Sequence, residues 1–198
     1  MHHASTSKKF PARLWDQTSF HLHWLLALTV LIQVGLILFR KIVGHHSAWS
    51  IYRGITIQIH IYLGLFIFLL ALIFLIRKIF LSGNTSWEKL FPIKKADRKL
   101  VLEDLKILFT LKIPVRSLGG GLAGLIQGLG VLLVFGLAGI GTLAFISWTF
   151  PVLNITSWGG PLIETHKFFA VLIWWYLGGH IGMTCLHKIL PQKFQVAL

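Results

Sequence analysis

Residues 164–180 read ETHKFFAVLIWWYLGGH, and this stretch decides the fold. It lies in an apolar run of roughly residues 162–186 that carries His166 and His180, fourteen positions apart. A bilayer core of about 30 Å takes about 20 helical residues to cross, so this run is long enough to span. Ionisable side chains inside such a span are costly and mark function. Why one apolar helix needs two imidazoles is therefore the central question.

Working outward, three further runs have the same character, at roughly 20–39, 55–76 and 122–148. Only 13% of the residues are charged, against about 25% in soluble domains. Barrel strands are shorter and alternate, which these runs do not. The expectation is an all-α transmembrane four-helix bundle, a single membrane-embedded domain over residues 1–198. The first run is too long for the apolar core of a cleaved signal and lacks a small-residue cleavage site after it. Cys185 is the only cysteine, which excludes an internal disulfide. There is no C-x-x-C-H, which excludes covalent c-type haem.

A net charge of +13 raises the question of nucleic acid, but its distribution points to membrane topology instead. Lys8, Lys9 and Arg13 precede the first run, ten Lys/Arg fall within 77–116, and Lys188 and Lys193 follow the fourth run. Only Arg40, Lys41, Arg53 and Lys167 fall in the other connections, so the division is fifteen against four. Basic loops stay on the cytoplasmic side. Both termini and the 77–116 connection are therefore expected in the cytoplasm. The expected partner of this charge is membrane lipid, whose anionic headgroups it also suits, and not nucleic acid.

Within the basic connection, Lys99, Glu103, Lys106 and Thr110 share one helical face. Val101, Leu105, Leu108 and Phe109 lie mostly opposite. The expectation is a cytoplasmic amphipathic helix between spans two and three, with Asp97 near its N-cap, lying on the inner membrane surface. It reads either as a surface helix without a partner or as a docking face. The third run opens GGGLAGLIQGLG and continues through Gly136, Gly139 and Gly141. Such small residues allow close helix packing, and they also make room for a flat cofactor. The segments RKIVGHHSAWSIYR and PVLNITSWGGP read as outer loops; the N-x-T in the second has meaning only in a eukaryotic secretory setting.

Of ten histidines, His2, His3, His45 and His46 fall in polar segments. His21, His23, His60, His166, His180 and His187 lie in or beside spans. A helical residue advances about 100° and 1.5 Å, so His166 and His180 are about 40° apart in azimuth and about 21 Å apart in depth. They face one side, too far apart to share a metal ion. With alternating span directions the depths pair His23 with His180 and His60 with His166. Two histidines at one depth suit the axial positions of a haem iron. Histidines that only hydrogen-bond between helices are the alternative. His21 points nearly opposite His23. His187 shares a face with His180 and is its rival, although Lys188 beside it marks a helix end.

The ordered set His23-Trp24, His60 and His166-x13-His180 resembles the bacterial cytochrome b561 and nickel–iron hydrogenase b-type cytochrome family. The resemblance covers most of the chain. It implies a four-helix bundle in the bacterial inner membrane holding two non-covalent b haems, both bis-histidine, with His23, His60, His166 and His180 as cofactor and metal ligands. Members include hydrogenase and formate dehydrogenase membrane subunits that pass electrons to quinone, and stand-alone proteins that oxidise superoxide and reduce quinone.

Three readings follow. In the first, the chain is a transmembrane electron-transfer protein linking a dehydrogenase or other redox partner to the quinone pool. In the second, it is a superoxide:quinone oxidoreductase, with Lys167 drawing an anion to the outer face. In the third, it is a non-redox scaffold whose histidines are structural. No catalytic side chain is assigned in any of them.

Overall fold

The computed structural model describes residues 17–43, 50–80, 87–110, 112–115, 120–150, 152, 155–189 and 195–197. Four long helices carry the architecture: α1 (Gln17–Val43), α2 (Ser50–Phe80), α5 (Gly121–Thr149) and α6 (Gly159–Ile189). Each is long and apolar enough to cross a membrane. Between α2 and α5 lie a single turn, α3 (Trp87–Leu90), the helix α4 (Lys95–Phe109) and strand β1 (Ile113–Val115). A 3₁₀ turn, Thr156–Trp158, leads into α6, and strand β2 is Gln195–Ala197.

All four helices overrun the apolar stretches that predict them. The extensions carry polar residues such as Gln17, Arg40, Lys41, Arg77 and Lys78. Backbone hydrogen bonding continues past the hydrocarbon edge, because a helix satisfies its own N–H and C=O groups wherever it goes. Arg40–Val43 and Ser50–Arg53 are thus helical, not loop, and His45 and His46 lie outside the described residues. Pro161 sits in the first turn of α6, where a missing N–H costs nothing.

α1 packs on α2, α2 on α5 and α5 on α6. The centre of the bundle is dry, built from Leu26, Val30, Ile67, Leu70, Ala71, Val134, Ala138 and Ile173. α6 buries only Gly159 and Ile173. Large apolar side chains such as Leu28, Leu69, Leu143, Phe168 and Trp175 point outward, as lipid-facing residues do. Hydroxyls inside the spans bond to carbonyls one turn back: Thr142 to Ala138 at 2.9 Å, Ser147 to Ala144 at 2.8 Å and Thr184 to His180 at 2.8 Å.

α4 buries an acidic side chain. Its cap residue is Lys94, and Asp97 lies near it, in the first turn. Leu102 and Phe109 are exposed, on the same side as Lys95, Lys99 and Lys106, and Leu105 is exposed beside them. The buried residue is Asp104, at 2% exposure. Its Oδ2 accepts the backbone N–H of Leu122 at 2.8 Å. Gly120 and Gly121 hold φ of 86° and 59°, values glycine adopts readily, and Gly120 offers no side-chain cap to α5. The carboxylate from α4 therefore caps the first turn of α5, where unpaired N–H groups favour an anion. β1 and β2 pair in parallel, with Ile113 opposite Gln195.

Candidate functional site: two facing histidine pairs

α6 presents His166 and His180 on one side, and each meets a histidine from another helix. The His23 and His180 ring centres lie 6.2 Å apart with planes at 63°. Those of His60 and His166 are also 6.2 Å apart, with planes at 90°. The first pair joins α1 to α6, and the second joins α2 to α6. The two layers lie about 21 Å apart along α6. His21 is exposed and sits edge-on to its neighbour Phe20. His187 is exposed at the helix end, with Nδ1 2.8 Å from the Met183 carbonyl of its own helix. Among the described residues no three His, Cys, Asp or Glu side chains converge as a metal site, so the imidazoles come in twos.

His166 is held more firmly than its sequence context shows. Its Nδ1 lies 3.0 Å from the Leu137 carbonyl on α5. A carbonyl only accepts, so Nδ1 carries the proton and the Nε2 lone pair is left for another partner. The ring enters over Gly141, where a Cβ would lie 3.0 Å from His166 Cε1. The His23–His180 layer has an aromatic neighbour: Tyr176 stacks on His180, with centres 5.4 Å apart and planes at 18°. Tyr176 in turn fills a notch at Gly130, where a Cβ would meet its phenol at 2.0 Å. At Gly139 a Cβ would touch Phe68 at 3.4 Å. These three α5 glycines thus accommodate aromatic and imidazole rings.

A cavity of about 360 Å³ opens beside the His60–His166 pair. All four long helices line it, through residues that include Gln33, His60, Gly141, Thr142, Trp148 and His166. Arg40 and Lys167 also line it, and Lys167 is ion-paired to Glu164 at 2.7 Å. Two polar atoms here are shut off from solvent without a hydrogen-bond partner: Gln33 Oε1 and His60 Nδ1. Gln33 was not singled out from the sequence, although an amide in mid-span is itself a signal.

The fold and its facing imidazoles define a class: multi-pass helical membrane proteins with histidine pairs between helices. The comparison with protein families is more specific. The family described as prokaryotic cytochrome b561 matches residues 14–197, and the chain belongs to that family. It is accordingly a membrane electron-transport protein of the b-type haem class. No curated protein and no solved structure matches it.

Proposed function

We propose that the chain carries electrons across the membrane through two b haems in two layers, with His23 and His180 as axial ligands of one and His60 and His166 of the other. The observation that carries this is the ring separation. An iron held by two histidines from different helices would need their rings brought together at one depth. Both pairs stand at 6.2 Å. The notch at Gly141 and the tautomer of His166 agree with the same assignment.

When bound, the haem supplies a one-electron ferric–ferrous couple. The chain's residues do the rest. His23, His180, His60 and His166 would hold the two haems, two imidazoles to each. The Leu137 carbonyl orients His166, and Tyr176 braces His180. The centre between the layers is built from apolar side chains.

Positive-inside bias places both termini and α4 in the cytoplasm, so the His60–His166 layer is the outer one. α4 then lies on the inner leaflet. Asp104 fixes it at the mouth of α5, and exposed Leu102 and Phe109 enter the headgroup boundary between Lys95, Lys99 and Lys106. The whole chain works as one membrane-embedded unit between a redox partner and the quinone pool. Direct oxidation of superoxide is the second reading; the exposed Lys167 on which it calls is ion-paired to Glu164.

Haem stoichiometry tests the assignment. Pyridine hemochrome should give two b haems per chain. His60→Ala or His166→Ala should remove one, and His23→Ala or His180→Ala the other. His21→Ala and His187→Ala should keep both. One haem in a saturated wild-type preparation, or loss of a haem in His187→Ala with retention in His180→Ala, would refute it.

A further inference from the structure

α1 carries one amide in its transmembrane stretch, Gln33, in the sequence TVLIQVGLIL. Its Nε2 donates to the backbone carbonyl of His60 on α2 at 2.9 Å. The side chain lies against Gly64, where a Cβ would stand 3.4 Å from Nε2. Gln33 is therefore already attached to the residue that carries the α2 imidazole.

The same two residues hold the unexplained polar atoms of this site. Gln33 Oε1 is a buried acceptor without a donor, and His60 Nδ1 is a buried ring nitrogen without a partner. Buried polar atoms are almost always paired, so a coincidence of two on neighbouring side chains calls for one cause. Across the site His166 has such a pairing, from Nδ1 to the Leu137 carbonyl. His60 faces it at 6.2 Å without the equivalent. Both Gln33 and His60 line the same cavity.

We infer that Gln33 is the positioning residue of His60, clasping it twice. Nε2 donates to the His60 carbonyl, and Oε1 accepts the Nδ1 proton through one buried water, the kind of bridge that satisfies otherwise unpartnered buried polar atoms. The inference rests on the haem assignment above, because the clasp matters only if His60 Nε2 is the ligand atom. An acceptor on the outer nitrogen fixes the tautomer and the ring orientation and raises the basicity of the ligand nitrogen. A more basic ligand favours the ferric state. Gln33 therefore holds the potential of the His60–His166 haem down and leaves the other haem alone.

The test uses the full holoprotein in nanodiscs, with optical redox titration and EPR of both haems. The haem lost in His166→Ala identifies the signal to follow. Gln33→Met removes donor and acceptor together, and Gln33→Glu keeps a side-chain carbonyl oxygen but loses the amide N–H. The clasp predicts that Gln33→Met raises the potential of the identified haem and shifts its EPR signal. Gln33→Glu should leave that potential at or below the wild-type value, and the second haem should not move in either variant. A residue that merely holds the helices together would shift both variants in the same direction, since both lose the bond to the His60 carbonyl. That result, or no shift in either, overturns the clasp. If Gln33→Met fails to fold, Gln33→Asn withdraws the amide by one methylene and should raise the potential in the same way; no rise overturns the clasp. A wild-type protein with one haem, or His60→Ala keeping two, overturns the ligand assignment itself and the clasp with it.

Discussion

Gly130→Ala is the sharpest test of how the α5 glycines work. A Cβ on Gly130 would lie 2.0 Å from both Cζ and Oη of Tyr176 and 2.4 Å from Cε2. Carbon atoms in contact stand about 3.5–4.0 Å apart. The phenol must then retreat by about 1.5 Å, and the stack on His180, now at 5.4 Å and 18°, is lost. Overpacking of this kind costs about 1–3 kcal/mol. At about 2–4 °C per kcal/mol for a chain of this size, the expected fall in Tm is about 2–12 °C. Gly136→Ala on the same helix is the control, because nothing lies within 4 Å of its added Cβ, and it should be neutral or stabilising. Tyr176→Leu removes the obstructing ring, so adding Gly130→Ala to it should cost much less than adding it to wild type. Thermal unfolding of the four proteins in one detergent, followed by circular dichroism, closes the cycle. Gly130→Ala as stable as Gly136→Ala, or strictly additive with Tyr176→Leu, would refute the notch.

Three further outcomes are expected. Gly141→Leu should drive His166 aside and cost the haem of that layer alone, read as one haem retained per chain by pyridine hemochrome. Asp104→Ala should lose the cap on α5 at about 1 kcal/mol, seen as faster proteolysis between residues 95 and 112; unchanged cleavage would count against the cap. A reporter active only in the periplasm should be active when fused within 151–160 and silent after Leu198, and the reverse pattern would invert the bundle.

The four spans and their histidines were legible because two simple signals carry them. Run length marks a membrane crossing, and a fourteen-residue spacing returns a helix to nearly the same face. The polar ends of α1 and α2 hid their last turns, since hydropathy stops where the hydrocarbon stops and the helix does not. The helix α4 was legible, but the burial of Asp104 was not. The structure buries Asp104, because the first turn of α5 needs an acceptor and Gly120 cannot provide one. No pattern in the α4 sequence states the need of another helix. The β1–β2 pair was out of reach for a related reason: three residues at 113 meet three at 195, and neither triplet has a strand signature on its own. The glycines of α5 were legible as space, and only the fold says that Tyr176 and His166 fill it. Gln33 was readable as an anomaly, though its partner on α2 was not.

The dry centre between the histidine layers has an electrical consequence. Leu26, Val30, Ile67, Leu70, Ala71, Val134, Ala138 and Ile173, with the stacked rings of Phe68 and Phe135, form a slab with little to polarise. Such a slab behaves as the dielectric of a capacitor, with the two imidazole layers near its plates. The layers are separated by about 21 Å of depth in a core of about 30 Å, so roughly 70% of the voltage across the bilayer falls between them. A full crossing is worth about 2.3 kcal/mol per charge per 100 mV, and the fraction here is about 1.6 kcal/mol. A charge moved between the layers would therefore do work against, or be driven by, the membrane voltage.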